Sequence, residues 1–181
     1  MDTLPALKQM EGTLSVTGDR ATALKGKIEE LMFRAQRISA AAKNNMPSTD
    51  TMFGYDLQHV RRDVRAFSQE LTSLPTIMGS IERTATYDEK AVKFATGVMR
   101  MCTRLSQIMK SLLDCANIAH QHIRANDQKI EAWYMAQEVE ELSQKAQGLP
   151  ATANKIVILV STPPAGAAPA APAAPPATPP A

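Results

Sequence analysis

Three histidines, two cysteines and a scatter of carboxylates are the residues of this chain that could do chemistry. His59 stands alone, whereas His120 and His122 lie two apart. On a helix that spacing points them about 200° from one another, so they cannot share a metal. Cys115, Ala119 and His122 do follow helical spacing. A Cys–His pair seven residues apart could hold a metal only with ligands from another helix; the ordinary alternative is a surface or partly buried histidine. Glu131 and Glu138 lack the companion Glu-x-x-His motifs of a di-iron bundle. HExxH, CxxC, GxxxxGK[ST], GxGxxG and nucleophile-elbow patterns are all missing. The expectation is no metal, no cofactor, no catalytic residue and no enzyme.

Binding chemistry leaves more to weigh. Trp133, Tyr134 and Met135 form one candidate partner-binding patch, since aromatic and Met side chains carry much of the energy of protein interfaces. The run Ile156, Val157, Ile158, Leu159 and Val160 is a second. Arg61, Arg62 and Arg65 cluster and could touch anionic lipid headgroups, although Asp56, Asp63 and Glu70 are interspersed. Nucleic acid is not an expected partner. Lys plus Arg is 20 against 18 for Asp plus Glu, a net charge of +2, which gives no strong basic field. Trp133–Tyr134 is the one aromatic pair available to stack bases.

These side chains must be positioned by helices. Only 4% of the 181 residues are aromatic, so the core is expected to be aliphatic and Met-based. Leu7, Met10, Leu14, Thr17, Ala21, Leu24, Ile28, Leu31, Ala35, Ile38 and Ala42 recur at alternate steps of three and four. This is the period of a coiled-coil seam. The pattern resumes over Phe53, Leu57, Val60, Val64, Phe67, Leu71, Leu74, Met78 and Ile81. Pro75 falls inside it. The unbroken phase favours a kinked continuous helix over a new start capped by Ser73. Thr86 to Glu89 has capping-box spacing and opens a third seam, Ala91 to Ile123, with Asn126, Ile130 and Trp133 continuing in phase. A second row through Phe94, Met101, Ile108 and Cys115 widens its apolar face, which predicts two neighbouring helices. Beyond Trp133 the phase shifts to Met135, Val139, Leu142 and Ala146, and Gly148 before Pro150 reads as a stop.

The predicted fold is therefore all-α. It is an elongated antiparallel bundle or coiled coil of three long helices, about 4–44, 50–84 and 86–124. A short fourth helix at 127–147, or an extension of the third, completes a body spanning 1–148. Residues 149–160 are expected as an apolar linker that packs on the bundle, pairs with a partner strand or docks in a groove. The segment 161–181 contains eight of the twelve prolines and is expected to be a disordered Ala/Pro-rich tail acting as a tether. Cys102 and Cys115 would lie about 20 Å apart along one helix, too far for a disulfide. No leader pattern or apolar run of spanning length is present, so a cytoplasmic location is expected. The functional expectation is a structural or adaptor protein that forms a homo-oligomer or binds a protein partner. The alternative is a peripheral binder of a lipid, membrane or granule surface, since long amphipathic helices can open onto such an interface.

Overall fold

Burial follows the heptads, and the burial dictates the helices. The computed structural model describes residues 2–164, and among them there are five helices and no strand. α1 spans Thr3–Lys43, α2 Phe53–Thr84, α3 Glu89–His122, α4 Asn126–Gln147 and α5 Leu149–Ser161. All nine seam residues of α2 are buried, and Pro75 sits within a continuous helix whose phase holds through Met78 and Ile81. The α1 seam is buried from Leu7 to Ala35, after which Ser39 replaces Ile38 and Ala42 on the inner face. A straight helix of 3.6 residues per turn drifts about 20° per heptad, which carries the stripe one residue onward over this length.

Helix ends are set by local chemistry. α1 closes with Asn45 at φ 54°, a conformation Asn tolerates. The Met46 amide donates to Ala41 O and the Asn45 amide to Ala42 O, the paired bonds of a Schellman ending. α3 begins later than its capping-box spacing predicts. Asp88, rather than Thr86, is the cap, and its carboxylate accepts from the Lys90 amide at 3.0 Å. Between α3 and α4, Ile123 and Ala125 are extended, so the fourth helix is a separate element and not an extension of the third.

Residues 149–160 pack on the bundle, one of the arrangements expected of them, but as a helix and not as a linker. They form most of α5, with Leu149, Ala153, Ile156 and Val160 buried at helical spacing. Gly148 keeps right-handed helical angles, φ −76° and ψ −21°, so the chain turns from α4 into α5 without leaving the bundle. Pro150 falls in the first turn of α5, where a missing N–H costs nothing. The β-branched run would favour a strand in isolation, but burial against α3 outweighs that preference. The helical body thus reaches Ser161 and not 148. The expected Ala/Pro tail lies outside the described residues from 165 onward.

Ion pairs fix the directions. Arg20–Glu70, Lys27–Asp63 and Arg34–Asp56 step up α1 as they step down α2, so these two are antiparallel. Lys8 lies over Phe94, and Glu11 lies against Gly97, so α1 and α3 run parallel with a constant offset. Arg61–Glu138 and Lys155–Glu82 likewise place α4 and α5 end to end and parallel to α2. The Asp88 amide donates to Val160 O at 3.0 Å, pinning the end of α5 to the start of α3. The result is a four-column bundle in which α4 and α5 together make the fourth column. α1 and α3 share the most extensive interface, and α2 and α3 occupy opposite corners. The second apolar row of α3 faces α1, as its width predicts: Phe94, Met101 and Ile108 are half-buried and Cys115 is buried.

Candidate functional site

The outer face of α4 groups three large side chains that are left exposed. Ile130, Trp133 and Tyr134 are 57%, 47% and 45% exposed, while the seam one step away is sealed. Continuing the α3 phase would have buried Ile130 and Trp133. The extended residues between the helices reset the angle, so Ala132, Met135, Val139 and Leu142 face inward instead. Trp133 and Tyr134 meet edge-on with ring centroids 5.0 Å apart. Of the three patch residues expected from sequence, Trp133 and Tyr134 are outward and Met135 is fully buried.

An arginine holds this face in place. Arg61 of α2 lies 4.8 Å from the centre of the Tyr134 ring. The same guanidinium bonds Glu131 at 2.6 Å and Glu138 at 2.9 Å, and only 13% of its side chain is exposed. These bonds, Glu138 foremost, raise its pKa above the ordinary arginine value. Arg65 adds a second contact to Glu138 at 2.9 Å. Two of the three arginines considered for anionic headgroups are thus committed to carboxylates of α4. Arg62 is exposed and forms no ion pair among the described residues.

The second predicted patch divides by face. Ile156 and Val160 are buried and Val157 is half-buried, so they belong to the core side of α5. Ile158 and Leu159 point outward and are exposed. They sit at the opposite end of the fourth column from Trp133, so the two patches form separate surfaces.

The residues with chemical potential do not converge. Cys102 is buried, and burial pushes its thiol up to about 12. Burial also raises the Cys115 thiol, with Glu29 of α1 adding to the effect. His59 packs against Tyr55 at 4.4 Å on the α2 surface. His122 lines a cavity of about 70 Å³ at the end of the bundle with Ser39, Phe53 and Gln128. Among the described residues no three His, Cys, Asp or Glu side chains gather as a metal site, and no helix is long and apolar enough to cross a membrane.

The α2–α4 clamp escaped sequence reading because its partners lie 77 positions apart. A signal was present in Glu131 and Glu138, spaced seven apart on one helix face. No protein-family model, no curated protein and no solved structure matches this chain.

Proposed function

We propose that this chain is a non-enzymatic structural or adaptor protein of the cytoplasm. It self-assembles or binds partner proteins through its helices, and the Ala/Pro-rich tail serves as a tether. The exposed Ile130–Trp133–Tyr134 face carries this reading. Large aromatic side chains left in water on a rigid helix, one of them braced by an arginine, are the usual anchors of a protein interface. The lipid-surface alternative is weakened by the commitment of Arg61 and Arg65 to Glu138.

Light scattering on the purified chain, with affinity capture from its native host, tests the proposal. The expected result is an oligomer or a captured partner that is lost in Trp133→Ala/Tyr134→Ala while helicity is kept. A monomer that captures nothing retires the reading. A stoichiometric metal or cofactor found by elemental analysis or absorption of the native protein would point to an enzyme instead.

A further inference from the structure

Every ion pair of the described residues involves α2 or the loop preceding it. α3 contributes to none. It carries five basic and two acidic side chains, a net of +3 with its histidines neutral, and no carboxylate separates Glu89 from Asp114. Lys90, Lys93, Arg100 and Arg104 are exposed and share a face by their spacing. They form a ridge about 21 Å long. Glu11 of α1 is the acidic side chain that reaches it, lying against Gly97 where the missing Cβ leaves room.

α4 is the electrostatic complement. It has five acidic and two basic side chains, a net of −3. Glu131 and Glu138 are held by Arg61 and Arg65, and Lys145 turns to Ser68 and Thr72 of α2. Glu140 and Glu141 are left exposed. Trp133 and Glu140 stand seven apart, as do Tyr134 and Glu141, so the acids continue the aromatic stripe along the helix. From Ile130 to Glu141 this face is about 17 Å long, close to the length of the basic ridge.

No ion pair joins the two faces within one chain, because the ridge begins beside the end of α5 while Trp133 lies at the opposite end of the fourth column. We propose that a second copy of this chain joins them: the basic ridge of α3 in one copy lies on the aromatic–acidic face of α4 in the next. The inference rests on the self-assembly reading above and names its two surfaces. Aromatic anchors bordered by opposite charges have the anatomy of a specific interface. Docking α3 on α3, or α4 on α4, would oppose like charges. Because each copy carries both faces, the contact either closes as a two-fold dimer, in which the two faces pair reciprocally, or runs head-to-tail into a ring or an open chain of copies.

Sedimentation velocity on the full chain, over a concentration series at low and high salt, tests this. Mass should rise with concentration and fall with salt, and the emission of Trp133, the single tryptophan, should shift blue as mass rises. Arg100→Glu/Arg104→Glu and Glu140→Arg/Glu141→Arg should each weaken association about tenfold or more, with circular dichroism unchanged. Mixing the two variants should restore it, because each then offers the complement of the other. If the wild-type chain assembles and the variants assemble equally well, or if mixing restores nothing, this interface is wrong while self-assembly stands. A wild-type chain that stays monomeric throughout overturns both this interface and the self-assembly half of the proposed function.

Discussion

Arg34 grips Asp50 through two hydrogen bonds of 2.7 Å each, from Nε and one terminal nitrogen, closing the loop between α1 and α2. Its other terminal nitrogen reaches Asp56 at 2.8 Å, and the guanidinium lies 5.5 Å from the centre of the Phe53 ring. Only 11% of the Arg34 side chain is exposed. The hydrogen bond to Asp50 is the main cause that raises the Arg34 pKa, and the bond from Arg34 holds Asp50 below its ordinary 3.8. A carboxylate with a depressed folded-state pKa stabilises the fold above its unfolded value. That contribution is lost as pH falls through the folded one. Urea unfolding should therefore show stability declining below about pH 4, more steeply for wild type than for Asp50→Asn. Equal slopes would remove Asp50 from the account. Arg34→Met should cost about 1–2 kcal/mol at neutral pH, since both carboxylates stay partly hydrated.

Arg61 binds α4 in a geometry that lysine cannot copy. Arg61→Met should destabilise the protein by about 1–3 kcal/mol and speed amide exchange across α4. Arg61→Lys should recover less than half of the loss, because an ammonium cannot bond both glutamates and face Tyr134 in one plane. Full rescue by lysine would mean that charge alone acts here.

Leu105 and Leu112 are at most 2% exposed, at the centre of the α3 seam. Leu112→Ala should cost about 2–5 kcal/mol by thermal or urea unfolding. Asp at both positions should abolish cooperative unfolding and most helicity. A well-folded double Asp variant would refute the packing.

Ser143 buries its hydroxyl in the core without a hydrogen-bond partner. Ser143→Ala should raise stability by about 1 kcal/mol. Gly12, Gly18 and Gly26 have open space where a Cβ would stand, so alanine at each should add about 0.5–1 kcal/mol. A loss at Ser143→Ala would reveal a partner for that hydroxyl.

Cys102 should resist thiol reagents in the native protein and react once urea opens the bundle. Its folded-state pKa, about 12, lies above the ordinary 9.0. The stability due to the neutral thiol is complete below pH 9 and lost progressively from 9 to about 12. Cys102→Ala should flatten that alkaline decline.

The seam from Phe53 to Ile81 was legible because an unbroken stripe of large side chains has one economical burial. Ile130 and Trp133 were misleading for the same reason: they keep the phase of α3, yet three residues of loop reset the rotation of the next helix. The run from Ile156 to Val160 favours a strand by residue type, yet it is helical where it packs into the fourth column of the bundle. Arg61 and Glu138 pair across 77 positions, a distance at which local spacing carries no information. The patch at Trp133 and Tyr134 was nameable from residue type alone, while the hold that Arg61 has on it was not.

The parallel pairing of α1 with α3 bears on how the chain reaches this state. Each contact across that interface closes a loop of about 86 residues, as the positions of Lys8 and Phe94 show, and α2 with α4 closes loops nearly as long. Bundles built from successive hairpins fold fast because their contacts are local. Here the principal interface pairs the first helix with the third, and the fourth column is complete only when α5 has docked beside Asp88. Folding should therefore be slow for an all-helical protein of this size.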